Sequence, residues 1–500
     1  MLNSPPSPSP SRWFKSLRRT KSSDVKSCPA LCSELLKRAR AAFLAKRPSQ
    51  ETFRLSQLEG LMHMLEDHEG EFVDALSRDL QKPRFETVYS ELMPVKNEAI
   101  YAINNLKKWM EPEPVERNLT TSLDDCFVVR EPLGVVLIVG AWNSPVQLCL
   151  VPLIGAIAAG NCVITNPSEI CSHTAELLHR LLPSYLDNEC YHVIHGGPGD
   201  LTEIVDLEFD HIFFTGSSAD GRKVMQAAAR TLTPVTLVLG GKNPCYVDRD
   251  CDMGIAARRI AWARFLNSGQ SMAAPDYVLC HTEVRERLVQ ALSSCLLQFY
   301  GPEPRQSSSY GRLVNAEHFA LVRDLLQSSG KVAVGGQVNE AERYIAPTVL
   351  IDVLETDPAM QQEILGPILP VMTVDSADEA LAFINQKPKP LCLYVYSSNS
   401  KVISQMMTCT SSGSFCSNDS TLQSMMVTLP FGGVGSSGMG SYHGRYSFET
   451  FSNKKSCVLR STRIECITYL RYPPYEDRSL SLMTWASSMS RKGQGWCQIL

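Results

Sequence analysis

The chain predicts an α/β fold built on a doubly wound parallel sheet, and three observations carry that reading. Five short apolar runs recur between residues 135 and 239. Longer stretches with helical spacing separate them, and a strand covered on both faces reads as a continuous apolar run rather than an alternating one. The 500 residues, 44% hydrophobic and 20% charged, have globular composition and enough length for two or three lobes.

In chain order, helical patterning starts near Leu35. A second long helical segment runs from Phe53 through Leu80, placing Phe53, Leu58, Leu61, Leu65, Phe72 and Leu76 on core stripes. The five runs are Val135 to Val139, Asn161 to Thr165, Tyr191 to His195, His211 to Thr215 and Val235 to Leu239. Doubly wound sheets bind ligands where strand C-termini open into a crevice, so function is expected in the loops after these runs. Tyr277 to Cys280 reads as a further apolar strand, and Tyr472 to Gly495, with its Tyr-Pro-Pro-Tyr turn, as a flexible tether.

Composition removes several function classes. A net charge of -4 gives no basic surface for nucleic acid. The 17 cysteines are scattered without a CxxC, as expected of reduced structural thiols in a cytosolic protein. No apolar run reaches the ~20 residues of a spanning helix. The N-terminus lacks the apolar core of a secretory signal and opens on a Pro/Ser tract from Ser4 to Ser11.

Both ends nevertheless point to a membrane surface. Cys497-Gln498-Ile499-Leu500 fits the prenylation pattern, with a terminal Leu that favours geranylgeranyl. One lipid chain anchors marginally, so a second signal is expected. Arg12, Lys15, Arg18, Arg19, Lys21 and Lys26, interleaved with Trp13, Phe14 and Leu17, could supply it at about 1 kcal/mol per basic residue on an anionic leaflet. A solvated basic tail is the equal alternative. The expected location is the cytosolic side of a membrane, whether plasma membrane, endomembrane or lipid droplet, with a cytosolic pool.

The loops carry ordered motifs: Ala141-Trp142-Asn143-Ser144-Pro145, Asn166-Pro167-Ser168-Glu169, Thr215-Gly216-Ser217 leading to Gly221, and Leu239-Gly240-Gly241-Lys242-Asn243-Pro244. Asn267 to Tyr277, Glu363-Ile364-Leu365-Gly366-Pro367 and Pro430 to Gly438 continue the series. Over about residues 30–475 the chain resembles the class 3 aldehyde dehydrogenases, closest to their B branch. The resemblance implies a Rossmann-like NAD(P)-binding domain from 30–108 and 133–240 and a catalytic domain over 241–429. It also implies a bridging and oligomerisation segment from 109–132 and 430–470, which makes a homodimer the expected assembly. Residues 1–29 are then a disordered basic extension and 471–500 a flexible tail. Gly433 to Gly438 matches a dinucleotide-binding glycine pattern, yet follows a Pro-Phe loop rather than a strand, and is rejected as one.

The family oxidises medium- and long-chain or aromatic aldehydes to acids with NAD or NADP. By position, Asn143 matches its oxyanion asparagine and Glu363 the carboxylate on the nicotinamide ribose, with Leu365 replacing an aromatic residue. Thr215, Gly216, Ser217 and Gly221 match the turn and helix that receive the pyrophosphate. Three positions depart from the pattern. Met272 stands where the nucleophilic cysteine is expected, Val238 where the general-base glutamate is expected, and Asn166 where a lysine grips the adenosine ribose. A thioether has no proton to lose and valine can activate neither a thiol nor a water. Cys280 is the next thiol along, but in a strand. The expectation is an aldehyde dehydrogenase with turnover lost or severely impaired; the alternative is a prenylated pseudoenzyme acting as a binding or dimerisation partner.

Overall fold

The computed structural model describes residues 28–195, 201–462 and 465–488. The basic N-terminal stretch and Cys497 lie outside these residues. The first helix, α1, spans Cys28–Leu44. The segment read as one helix from Phe53 is two, α2 (Glu51–Asp67) and α3 (Glu69–Leu80), broken at His68 with φ -119° and ψ 20°. The break is held from both sides, since the His68 ring contacts Glu71 at 2.6 Å and the Tyr185 hydroxyl at 3.0 Å. Glu69 and Glu71 then favour a new helix N-terminus at that point.

A short turn, α4 (Arg84–Thr87), leads into α5 (Met93–Met110). Alternation follows: β3 (Val135–Val139), α6 (Gln147–Ala159), β4 (Cys162–Asn166), α7 (Ser172–Tyr185) and β5 (Tyr191–Val193). Then come α8 (Leu201–Val205), β6 (His211–Gly216), α9 (Ser218–Ala228) and β7 (Val235–Leu239). The five expected runs are therefore strands, displaced by two residues or fewer at their ends. Strand order is β17-β7-β6-β3-β4-β5, all parallel except the edge strand β17 (Gly438–Met439). The chain leaves β3 toward β5 and returns to the other side of β3 through β6. That reversal puts the crevice between the C-terminal ends of β3 and β6.

Four residues after β7, a second sheet begins with β8 (Pro244–Val247), followed by α10 (Met253–Phe265), β9 (Tyr277–His281) and α11 (Arg285–Tyr300). It is completed by β10 (Lys331–Val334), β13 (Thr348–Ile351), β14 (Ile368–Val374), β15 (Cys392–Tyr396) and β16 (Ser414–Ser417), in the order β10-β13-β14-β9-β8-β15-β16. Strands β11 (Val338–Asn339) and β12 (Tyr344–Ile345) form a separate hairpin. A third, antiparallel sheet joins β1 (Glu113–Pro114), β2 (Asp125–Pro132) and β18 (Ser452–Leu459), with Val458 and Leu459 exposed at its end. Among the described residues no helix is long and apolar enough to cross a membrane.

Candidate active site

The crevice is built where the two large sheets meet. Residues 240–243 link β7 to β8, and the loop after α10 comes up beside them. That loop contains three successive left-handed residues, Asn267 (φ 52°), Ser268 (φ 54°) and Gly269 (φ 78°). Two non-glycine residues in this region are strained unless their surroundings fix them. Here they are fixed. The Asn267 N–H donates to Glu86 Oε2 at 2.9 Å, and its side-chain amide donates to the Asn143 carbonyl at 2.8 Å. Gln270 donates to the carbonyls of Asn267 and Arg312 and accepts from the Val314 N–H. A Cβ on Gly269 would stand 2.2 Å from the Gly366 carbonyl oxygen, so only glycine fits.

Met272 follows, buried to 9% exposure. Its carbonyl accepts from Asn243 Nδ2 at 2.7 Å, and the same amide reaches the Ala274 carbonyl at 3.0 Å. Asn243 Oδ1 in turn accepts from the Cys392 N–H. The Tyr394 hydroxyl donates to the Ala273 carbonyl. The backbone of the loop is thus pinned without help from the residue 272 side chain.

Asn143 lies just beyond β3, buried, and among the described residues its side-chain amide has no hydrogen-bond partner. An amide donor left free at the mouth of a crevice is available to a ligand oxygen. Val238 is fully buried in β7, in register with Thr215 on β6 and Gly438 on β17. Cys280 is fully buried in β9, where burial pushes its thiol up to about 12.

Glu363 reaches back toward the strand end. It accepts from the Gly241 N–H, and burial with Asp276 nearby pushes its carboxyl up to about 8. A Cβ on Gly240 would stand 1.9 Å from Glu363 Oε2, which is why the turn carries glycine. Leu365, two residues on, is left-handed (φ 45°), and its carbonyl contacts His318 Nε2 at 2.7 Å. The His318 ring packs edge-on against Trp142 at 5.0 Å, tying the Glu363 loop to the Asn143 loop. Beneath them Asp276 pairs with Arg264 at 2.9 Å and Lys242 at 2.5 Å, while Arg264 donates to the Gly366 carbonyl.

The nucleotide side is set by β4, β6 and α9. Asn166 ends β4, and its carbonyl accepts from the Gly140 N–H. Thr215 is buried at the end of β6 with its hydroxyl unpartnered among the described residues. Ser217 caps α9 by accepting from the Asp220 N–H at 3.1 Å, and Gly221 lies against Leu239. Ser218 donates to the Ser436 carbonyl, which brings the glycine-rich Gly433 to Gly438 loop alongside. That loop is a single turn entering β17, with no strand before it and no long helix after it. A free buried hydroxyl, a glycine turn, a helix N-terminus and the Glu363 carboxylate around one crevice fit a dinucleotide. The Asp220 carboxylate in the first turn of α9, held by Ser217 and Lys223, weakens that terminus as an anion site.

Sequence reading missed Glu86 and Arg264, and it placed Gln270 and Asp276 within the Asn267 to Tyr277 motif without a role. Arg264 gave a faint signal: it is a charge set between Ala263 and Phe265, apart from the adjacent pair Arg258 and Arg259, and such a charge needs a buried partner.

Residues 19–457 match the model of the aldehyde dehydrogenase family. The chain belongs to that family. It is 52% identical over 448 residues to aldehyde dehydrogenase family 3 member B1 of Rattus norvegicus, covering 90% of this chain and 96% of the relative. It is 49% identical over 442 residues to the dimeric NADP-preferring aldehyde dehydrogenase of Mus musculus, covering 88% and 97%. The substrate-bound structure of Staphylococcus aureus AldH superposes with a TM-score of 0.88 at 39% identity, covering 91% and 99%. This aldehyde dehydrogenase therefore has the family fold over its main body and lies with the B branch of family 3.

Proposed function

We propose that this aldehyde dehydrogenase keeps the family's crevice for an aldehyde and NAD or NADP but carries out no covalent oxidation. The observation that carries the reading is the pair Met272 and Val238, on the loop and on the strand end that the family's nucleophile and base occupy. In the family route a thiolate attacks the aldehyde carbon, hydride leaves for the nicotinamide, and water hydrolyses the thioester. A nicotinamide cofactor, when bound, supplies the hydride acceptor. On this chain Asn143 can donate its amide to the carbonyl oxygen, and Glu363 can orient a ribose hydroxyl. No group then attacks: Met272 offers a thioether, and the buried Cys280 thiol stays protonated. Losing the central member of a nucleophile-base unit costs on the order of 10⁴ to 10⁶ in turnover, and losing both costs little more.

The substrates retained as ligands are medium- and long-chain or aromatic aldehydes, as for the family. Asn166 lowers nucleotide affinity because no ammonium reaches the adenosine ribose. A homodimer is supported by the dimeric relative, and geranylgeranylation of Cys497 with the basic N-terminus would place the dimer on a cytosolic membrane face. In that setting the chain acts as a prenylated binding partner. The test compares NAD(P)H formation from a long-chain aldehyde by the native protein and by the Val238→Glu plus Met272→Cys double variant. Activity confined to the double variant is expected. Native turnover equal to that of the variant refutes the reading. Loss of geranylgeranyl incorporation and of membrane recovery in Cys497→Ser tests the anchor, and unchanged recovery refutes it.

A further inference from the structure

Two buried thiols meet on the first sheet. Strand β4 begins at Cys162, and Cys190 immediately precedes β5. The strands run parallel with Val163 opposite Tyr191, which puts Cys162 opposite Cys190, and the Val163 N–H donates to the Cys190 carbonyl at 2.9 Å. Neighbouring strands lie about 4.8 Å apart, inside the roughly 4.4–6.8 Å between Cα atoms that a disulfide spans. Both side chains are fully buried, free and hydrogen-bonded to each other. No other two strand cysteines among the described residues stand directly opposite one another. Cys245 and Cys416 both face Tyr394, from the two sides of β15, and Cys126 and Cys457 are one register step apart on β2 and β18, hence on opposite faces.

Cys190 is carried by the turn that joins α7 to β5, whose Asn188 is exposed, and one carboxylate holds that turn in place. Asp187 Oδ1 accepts the Glu189 N–H at 3.0 Å and the Cys190 N–H at 3.2 Å, while Arg47 donates to Asp187 Oδ2 at 2.8 Å. Arg38 on α1 donates to Glu189 at 3.0 Å. Both arginine side chains are about half exposed, and ion pairs of that kind hold weakly and are screened by salt. The turn is therefore a cover over the dithiol fastened by surface contacts, not by packed core.

We propose that Cys162 and Cys190 are a peroxide-sensitive dithiol that closes to a reversible disulfide when this turn lifts. Once open to water, the Cys190 thiol gives up its proton and its sulfur attacks one oxygen of hydrogen peroxide. The O–O bond breaks, the departing hydroxide takes up that proton as water, and Cys190 is left as a sulfenic acid. The Cys162 sulfur then attacks the Cys190 sulfur and expels the second water. Two thiol hydrogens and two electrons thus pass to one peroxide, and one S–S bond forms. While the turn is closed, the Cys162 hydrogen bond and burial hold the proton on Cys190, so the resting pair is inert. The bond would tie edge strand β5 to β4 at the end of the sheet opposite the crevice, bracing the sheet without entering the site.

The experiment exposes the full-length protein to hydrogen peroxide, alkylates the remaining thiols after denaturation, and maps the peptides by mass spectrometry with and without dithiothreitol. A peptide pair linked through Cys162 and Cys190 that disappears on reduction is expected, with Tm raised by about 3 °C through closure of the loop between them. Arg47→Gln, which releases Asp187, should speed the linkage by roughly threefold or more, as should added salt in the native protein. Cys190→Ser should abolish both the link and the rise in Tm, and the mapping of the native protein decides the question if that variant fails to fold. Recovery of Cys162 and Cys190 as alkylated thiols at peroxide levels that oxidise the exposed Cys409 overturns the proposal. So does Cys190 driven to sulfinic acid with no link, or a link that forms no faster in Arg47→Gln. The measurement needs no turnover, so its failure leaves the NAD(P)H comparison untouched.

Discussion

Glu86 offers the sharpest test of how the loop at residue 272 is held. Its carboxylate is buried and accepts the Asn267 N–H at 2.9 Å, while the nearby Lys82 ammonium is committed to Glu91 at 2.7 Å. Burial therefore dominates, and the carboxyl is pushed from 4.5 up to about 7. A raised value means that the folded protein favours the protonated acid. The stabilising contribution is complete below the unfolded value near 4.5 and is lost as pH rises through 7. A shift of this size corresponds to about 3 kcal/mol across that window. Glu86→Gln keeps an oxygen for the Asn267 N–H and removes the titration. Relative to wild type, the variant should gain about 3 kcal/mol between pH 4.5 and pH 8, which for a chain of this length is about 3 °C in Tm. Calorimetry at a fixed scan rate on both proteins across that range measures the gap. A gap that is the same at pH 5 and pH 8 would show that Glu86 ionises freely and that the loop is not held by a buried acid.

Three further substitutions probe the frame of the crevice. Asp79→Ala removes the carboxylate that accepts from the His173 and Thr174 N–H groups and the Thr174 hydroxyl at the start of α7; it should cost about 2–4 kcal/mol, read as a lowered Tm. Gly240→Ala drives a methyl into the Glu363 carboxylate and should weaken NAD(P) binding in a direct titration by tenfold or more, with the fold intact by circular dichroism. Asp276→Ala strands Arg264 and Lys242 as buried unpaired cations and should cost about 3–5 kcal/mol; an unchanged Tm would mean that water reaches the cluster.

The first sheet was legible because its strands are largely buried, so each run is predominantly apolar and stands out against the amphipathic helices. Its ends were off by a residue or two, since Asn166 and Gly216 extend the ladder without being apolar. The second sheet was less visible: β10 and β16 lie at its edges and mix exposed with half-buried residues, leaving no apolar run to find. The helix break at His68 was invisible to periodicity, because α2 and α3 keep their stripes on both sides of it. At the crevice the motif residues could be placed from sequence, but the groups that pin them could not. Glu86 reaches Asn267 across 181 positions, and no local pattern encodes a contact of that range.

Asn243 carries a consequence for how the crevice can change. One buried amide clamps the carbonyls of Met272 and Ala274 and the N–H of Cys392, and none of these bonds reads the identity of side chain 272. The loop is in effect a socket. A change of side chain at this position leaves every one of these bonds in place, so folding and reactivity are free to part company. The same indifference makes the position an insertion point. Cysteine, selenocysteine or a photoreactive side chain placed there would be presented to the crevice on an unaltered backbone.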